Sequence, residues 1–154
     1  MTNPQAFIAV PLAVFNGLLR EYVQLAAFNK LSDTKMSGFV DPWAGSEGQE
    51  RFLNQVGQFD PKHTEEMEGN YEKIMAAEDG KRKKLKIIWA EDDNLIPLRK
   101  GEALAKITDA PEFVRVSKAG HLVMVDQPEI VTYEIMAWLQ LSSREELANE
   151  SRLE

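Results

Sequence analysis

The second half of the chain alternates between short apolar runs and helical patterns, and this alternation constrains the fold more than any other feature. The runs Leu85–Trp89 and Phe113–Val116 have the length and composition of buried strands. A helical pattern follows each run, at about Leu98–Ile107 and Gln127–Leu139. The second helix is predicted to have Asp126 as its cap and to bury Val131, Ile135, Trp138 and Leu139. Such an order predicts parallel strands joined by right-handed crossovers, with helices covering the sheet. This half of the chain is therefore predicted to have an α/β fold.

Each predicted strand leads into a loop that carries ionisable residues and ends at a proline. The first loop reads W-A-E-D-D-N-L-I-P over residues 89–97, and the second reads A-G-H-L-V-M-V-D-Q-P over residues 119–128. Open parallel sheets concentrate their functional groups beyond the carboxyl ends of the strands. Both loops are therefore expected at the functional edge of the sheet.

Together the two loops resemble the end of the α/β-hydrolase fold. In that family one strand leads to W-G-x-x-D-x-x-x-P with the acid of a catalytic triad, and the next leads to G-H-x-x-x-x-D-x-P with the histidine. The match runs from about Leu85 to Leu139. The resemblance implies the C-terminal portion of an α/β-hydrolase fold, in which a helical cap segment precedes two parallel strands with flanking helices. The sheet is then incomplete.

The resemblance makes Asp93 the catalytic acid and His121 the catalytic base. Their sequence positions differ by 28, which leaves room for one helix and one strand between adjacent loops. In a triad the carboxylate fixes the imidazole tautomer and stabilises the imidazolium that forms when the base takes a proton. We expect a carboxylate oxygen of Asp93 within hydrogen-bond reach of the His121 ring. Gly120 is expected to provide a tight turn with positive φ.

The sequence departs from the family pattern in one small way and one large way. Ala90 stands where the family usually has glycine, which predicts strain in that turn. The family also places its nucleophile upstream, in a G-x-S-x-G elbow between a strand and a helix. In Ala44–Gly48 the serine is one position out of register, and Ser46-x-x-Gln49 is predicted to be a helix-capping box instead. The elbow and the oxyanion-hole segment are therefore missing from this sequence.

The first half of the chain is predicted to be helical and resembles a hydrolase cap. Helical spacing covers Pro11 to Leu31 and again Thr64 to Ala77. The stretch from Asp41 to Gln49 looks like the cap of the haloalkane dehalogenase, epoxide hydrolase and ester hydrolase group. Because such caps roof the active site, Trp43 and Phe59 are candidate substrate-binding residues, with ordinary helix packing as the alternative. We predict a cap segment over residues 1–79, core units over 80–141 and a polar tail over 142–154.

Composition narrows the possible partners. A net charge of -7 without a basic face disfavours nucleic acid. The apolar stretch Phe7 to Leu19 is interrupted by Pro11, Asn16 and Gly17 and is too short for a bilayer of about 30 Å, so no membrane partner is expected. The absence of cysteine excludes thiolate metal sites and suits a cytoplasmic location. His63 has no second ligand at metal-binding spacing, so we expect neither a metal nor a cofactor.

Simpler interpretations exist for both motif residues. Asp93 follows Glu91 and Asp92, and when this cluster is taken alone, solvated loop charges explain it better. His121 alone is also compatible with a half-buried structural histidine. The joint occurrence of both motifs, each after a strand and each followed by a proline-marked helix, favours the catalytic pair.

The resemblance implies that the parent protein is a cofactor-independent hydrolase. Its partner is a small, largely apolar substrate, such as an ester, an epoxide, a halide or a compound with a cleavable C–C bond. Two alternatives stay open: a truncated, non-catalytic binding or interaction protein, and one half of a split hydrolase. Without a nucleophile the chain alone is expected to be inactive. It is also expected to self-associate through the exposed edge of its sheet.

Overall fold

The chain consists of a helical first part and a second part in which strands and helices alternate. The computed structural model describes residues 10–58, 60–68, 70–75 and 84–150. The first part contains α1 (Leu12–Ala26), α2 (Asp33–Val40), a 3-10 turn (Asp41–Trp43), α3 (Gly45–Gly57), α4 (Pro61–Glu68) and α5 (Tyr71–Met75). The second part contains β1 (Lys86–Ala90), α6 (Leu98–Ile107), β2 (Glu112–Val116), α7 (Val123–Asp126) and α8 (Pro128–Glu150). The predicted boundary near residue 80 lies outside the described residues.

The two strands pair in parallel, and α6 forms the crossover between them. Ala90 at the end of β1 lies opposite Val116 at the end of β2. The pairing continues beyond both strands, because the Glu91 N–H donates to the Val116 carbonyl (2.9 Å) and the Asp92 N–H donates to the Ala119 carbonyl (3.1 Å). The predicted α/β architecture is confirmed, and within the described residues the sheet has these two strands. The loops after the strands therefore start side by side.

Different contacts fix α6 and α8 to the sheet. Gly101 of α6 lies so close to the Trp89 indole that an added Cβ would be 2.4 Å from Cδ2 of the ring. The Lys86 ammonium lies 2.6 Å from a carboxylate oxygen of Glu134 in α8 and 3.1 Å from one of Glu112 in β2. The hydrogen bond with Glu134 is the largest of the effects that raise the pKa of Lys86. One basic side chain thus joins both strands to the last helix.

The helices of the first part have a hydrophobic core of their own. Helix α1 places Phe15, Leu19 and Val23 on one stripe, and all three are buried. Met36 and Val40 of α2 pack against this stripe. Spacings of four residues align side chains on one face of a helix, which explains why this face is inward.

The loop after β2 contacts the end of α1. The Leu122 N–H donates to the Ala26 carbonyl at 2.9 Å, and Leu122 and Val125 pack against the core of the helical part. Gly120 does not adopt the positive φ that was expected. Glycine is required for another reason, because an added Cβ would lie 2.7 Å from the Ala26 carbonyl oxygen and 2.9 Å from the Phe28 nitrogen. The close approach of two segments therefore excludes a larger residue.

Two predicted helix caps are wrong. Helix α3 begins at Gly45 without a side-chain cap, and the Gln49 amide instead donates to the Val10 carbonyl at 3.0 Å. Helix α8 begins at Pro128, so Asp126 is not its capping residue. In both cases the side chain binds backbone far away in sequence, and local spacing does not reveal such a partner.

The predicted buried face of α8 is also wrong in part. Ile135 and Leu139 are 46% and 48% exposed, and Val131 and Trp138 are only partly buried. Paired strands lie about 5 Å apart, so a sheet of two strands is too narrow to cover a helix of 23 residues.

Among the described helices, none has the combination of length and apolar character that spanning a bilayer requires.

Candidate active site

Asp93 lies in the turn that follows β1, with its side chain only 6% exposed. Its Oδ1 accepts hydrogen bonds from the N–H groups of Leu95 and Ile96, both at 2.8 Å. The Trp89 indole N–H donates to the Ile96 carbonyl at 3.1 Å and holds the same turn. These bonds fix the carboxylate through one oxygen, which leaves Oδ2 for another partner.

His121 meets this carboxylate from the neighbouring loop after β2. Its Nδ1 lies 2.9 Å from Oδ2 of Asp93, and the side chain is 38% exposed. A carboxylate at Nδ1 favours the tautomer that carries its proton there, and in that tautomer Nε2 is the proton-accepting nitrogen. The structure thus brings together the two residues that the motifs singled out.

Opposing effects act on the ionisation of Asp93. Burial favours the neutral acid, but the hydrogen bonds from Ile96, His121 and Leu95 together outweigh it and hold the pKa of Asp93 below its usual range. The carboxyl group is therefore ionised at neutral pH. Its neighbours Glu91 and Asp92 are exposed, so within this acidic run only Asp93 turns inward.

Ala90, the small departure from the family pattern, fits this turn without strain. It is the last residue of β1, is 3% exposed and is not among the residues with positive φ. The expected strain at this position is therefore wrong. Alanine occupies an ordinary strand position here, and the turn begins only at the next residue.

Asp126 is a residue whose role the sequence did not reveal. Its Oδ2 accepts hydrogen bonds from the N–H groups of Phe28 (2.8 Å) and Gly120 (3.0 Å). Its Oδ1 accepts from the backbone N–H (3.0 Å) and the side-chain amide (3.3 Å) of Asn29. Burial opposes ionisation, yet these donors outweigh it and lower the pKa of Asp126. The available signal was the aspartate of the G-H-x-x-x-x-D-x-P motif, which we interpreted as a helix cap.

Trp43, the first candidate substrate-binding residue, has mainly packing contacts. Its ring meets Phe52 edge-on with centroids 5.4 Å apart, and Phe52 meets Phe15 in the same way at 5.7 Å. An added Cβ on Gly48 would lie 2.3 Å from the Trp43 carbonyl, so α3 is closely packed on this residue. Phe59, the second candidate, lies outside the described residues.

An open cavity of about 500 Å³ lies between α1 and the turn that carries Asp93. Its lining residues are Glu21, Tyr22, Gln24, Leu25, Ala27 and Asn94. Asn94 directly follows Asp93, so the cavity reaches the turn that holds Asp93. Trp43 does not line this cavity.

Other chemically active side chains lie apart from this pair. Ser46 is exposed in the first turn of α3, and Ser117 is exposed just after β2, so neither lies on an elbow between a strand and a following helix. The His63 ring is 3.5 Å from the Glu66 carboxylate on the surface of α4. The described part of the chain contains no group of three side chains suited to holding a metal ion.

Comparison with known proteins supports one assignment. No protein-family model matches the sequence, and no curated protein matches it. Among solved structures, an alpha/beta hydrolase fold protein from Burkholderia ambifaria is similar, with a TM-score of 0.77 and 32% sequence identity. The match covers 88% of this chain and 47% of that protein. The chain therefore spans about half the length of the structure it resembles.

Proposed function

Because the chain belongs to the α/β-hydrolase fold superfamily, we propose that it supplies the acid–base part of a hydrolytic site. In this proposal His121 is the general base and Asp93 orients it. The observation that carries the proposal is the 2.9 Å contact between the imidazole and a buried, ionised carboxylate at the ends of two parallel strands. The substrate is a small, largely apolar ester, epoxide, halide or compound with a cleavable C–C bond.

The proposed chemistry follows from the tautomer of His121. With a serine nucleophile, Nε2 takes the hydroxyl proton while the oxygen bonds to the substrate carbon, and the ring later gives this proton to the leaving group. With an aspartate nucleophile, the carboxylate attacks the substrate carbon and forms a covalent ester as the carbon–halogen bond or an epoxide carbon–oxygen bond breaks. Nε2 then takes a proton from the water that attacks the ester carbonyl, and cleavage of the ester bond releases the alcohol. In both cases the Asp93 carboxylate stabilises the imidazolium.

The nucleophile and the oxyanion donors must come from outside these 154 residues. The sequence contains neither G-x-S-x-G nor G-x-D-x-G. The proposed active unit therefore combines this chain with the strands and elbow of a hydrolase core. The cavity beside Asn94 is the proposed substrate side, with Tyr22 and Leu25 as apolar lining. A substrate-lining role for Trp43 and Phe59 stays a separate prediction, because Trp43 does not line this cavity and Phe59 lies outside the described residues.

Complementation tests the proposal. The chain is co-expressed with the part of the Burkholderia ambifaria protein that it does not match, and hydrolysis of p-nitrophenyl acetate is measured. We expect activity from the pair and none from the chain alone beyond that of His121→Ala. Asp93→Asn should lower kcat by on the order of 10⁴-fold, because it removes the group that selects the tautomer. Asp92→Asn is the matched control, since Asp92 is exposed on the same turn.

Two results would contradict the proposal. If the complemented protein that carries Asp93→Asn is as active as the one that carries Asp92→Asn, Asp93 does not orient the base. Hydrolysis by the chain alone that a single serine substitution abolishes would reveal a nucleophile within these residues. The control for expression is the His121→Ala pair, which should assemble and stay inactive.

A second candidate function is that of a non-catalytic interaction protein or of one half of a split hydrolase. It is favoured by the missing elbow and by the exposed apolar side of α1, where Leu18 and Tyr22 are 56% and 53% exposed. Tight assembly with the complementing part but no hydrolysis would favour the non-catalytic role. Assembly with hydrolysis that depends on His121 is expected both for the proposed function and for a split hydrolase, and it rejects the non-catalytic role.

A further inference from the structure

The backbone on both sides of His121 is bonded to the same short segment at the end of α1. Before the histidine, the Gly120 N–H donates to Asp126, whose carboxylate also accepts the Phe28 N–H. After the histidine, the Leu122 N–H donates to the Ala26 carbonyl at 2.9 Å. The imidazole therefore stands between two backbone anchors that lead to residues 26–29.

Asp126 is the charged element of this arrangement. Its two oxygens accept four hydrogen bonds, two from Asn29 at Oδ1 and one each from Phe28 and Gly120 at Oδ2. Hydrogen bonds to an ionised acceptor are about twice as strong as those between neutral groups. The donors Phe28 and Asn29 lie 98 and 97 residues before Asp126 in the sequence, whereas Gly120 lies only six residues before it. The carboxylate thus links the helical part directly to the histidine loop.

The surrounding contacts leave this loop little freedom to move by itself. The Gln127 amide donates to the Lys118 carbonyl at 3.1 Å and closes the loop on itself. The Lys35 ammonium of α2 lies 3.5 Å from the Val125 carbonyl. A displacement of the end of α1 is therefore passed to the loop as a whole.

We propose that Asp126 is a positioning residue for His121. It locks the histidine loop onto the end of α1, so that the helical part sets where the imidazole stands relative to Asp93. The catalytic meaning of this lock rests on the proposed function, in which His121 is the general base. Whatever moves α1, including a bound substrate in the adjacent cavity, then also changes the alignment of the base.

Nuclear magnetic resonance of the 154-residue chain tests this proposal without an activity measurement. The sequence has two histidines, so the exposed His63 provides an internal reference for the ring signals of His121. Asp126→Asn replaces one carboxylate oxygen with an amide nitrogen, which cannot accept a hydrogen bond. If the nitrogen takes the place of Oδ2, the Phe28 and Gly120 N–H groups lose their acceptor, and if it takes the place of Oδ1, Asn29 loses its acceptor. Asp60→Asn is the matched control, because Asp60 also accepts a backbone N–H, that of Lys62, at 3.0 Å.

We expect Asp126→Asn to make the His121 ring N–H exchange with water at least tenfold faster and to shift the ring nitrogen signals. The His63 signals should stay unchanged, and Asp60→Asn should affect neither ring. If Asp126→Asn does not fold, Asp126→Glu is used instead, because it keeps the charge and displaces it by one methylene. Wild-type His121 signals in the folded variant, with faster exchange at the Phe28 and Gly120 amides, would overturn the proposal.

The two proposals fail independently. A complemented pair without hydrolysis would reject the proposed function and leave the response of the His121 ring to Asp126 intact. If the complemented pair is active but Asp126→Asn leaves the His121 ring signals unchanged, only the positioning role is rejected.

Discussion

Asp93 and Asp126 are both held by backbone N–H groups, and this shared feature explains why the pKa of each is lowered although burial acts in the opposite direction. Each carboxylate belongs to one of the two motifs that the sequence contains. The motif letters located both residues and, through the family resemblance, suggested the partner of Asp93. They did not reveal the partners of Asp126, because Phe28 and Asn29 are close to it only in the folded chain.

The lowered pKa values predict acid sensitivity. A carboxyl group with a folded pKa below its unfolded value of 3.8 contributes stability that is fully present above the unfolded pKa. This contribution is lost as the pH falls through the folded pKa. We therefore expect the free energy of unfolding to begin falling near pH 4 and to keep falling below it.

Urea unfolding at a series of pH values measures this effect. The double variant Asp93→Asn, Asp126→Asn should be less stable at neutral pH and should lose less stability between about pH 5 and pH 3. Asp33→Asn serves as the control, since Asp33 is exposed in the first turn of α2. A double variant with the same acid dependence as the wild type would contradict the assignment of the sensitivity to these two groups.

Gly120→Ala should be destabilising by about 1–3 kcal/mol, the usual cost of overpacking. The added methyl group would meet backbone atoms of Ala26 and Phe28 at 2.7 and 2.9 Å, and backbone cannot rotate out of the way. Gly38→Ala is the matched control, because nothing lies within 4 Å of the added Cβ in helix α2. There alanine should be neutral or should stabilise by up to about 1 kcal/mol. Thermal unfolding of both variants distinguishes them, and equal effects would refute the close approach.

At the scale of secondary-structure elements, the periodicity of apolar residues correctly located the bounds of one helix and of both strands. Helix α6 has the predicted bounds, and both strands agree with their predicted bounds to within one residue. In each case an apolar pattern coincides with burial against the adjacent element. The capping motifs failed for the Ser46-x-x-Gln49 box and for Asp126, because the side chains of Gln49 and Asp126 bind backbone 39 and 98 residues away. It also failed for the outer face of α8, because a pattern specifies which residues can be buried and not whether a partner covers them.

The packing of α6 on β1 gives a prediction at this scale. Gly101→Ala should cost about 1–3 kcal/mol, because its methyl group would lie 2.4 Å from the Trp89 ring. In a chain that already carries Trp89→Leu, the same substitution should cost less, since the flat ring is gone. Denaturant unfolding of the two single variants and the double variant gives the coupling energy. Additive effects would mean that the helix moves away from the strand without resistance.

At the scale of the whole molecule, the described residues leave two kinds of surface that folded proteins usually cover. The outer side of α1 exposes a row of large apolar residues, Val14, Leu18, Tyr22 and Leu25, each at least 50% exposed. Each strand also has one edge without a paired strand in the described residues. The similar solved structure, an alpha/beta hydrolase fold protein, is about twice as long as this chain. We propose that a complementing part binds at these surfaces, next to the cavity that Tyr22 and Leu25 line.

The 154-residue chain by itself should consequently bind a hydrophobic dye and self-associate, because contiguous apolar surface and unpaired strand edges both favour association. The neighbours Leu18 and Leu19 on α1 provide a test, since they are 56% and 4% exposed. Leu18→Gln should reduce dye binding and association while changing the free energy of unfolding by less than about 0.5 kcal/mol, as is usual on a surface. Leu19→Gln should cost about 3 kcal/mol or more and increase dye binding, because it places an amide in the core. Sedimentation and dye fluorescence measure both effects. A compact monomer with a sharp thermal transition and no dye binding would mean that two strands and their helices are sufficient by themselves, and that the outer side of α1 needs no partner.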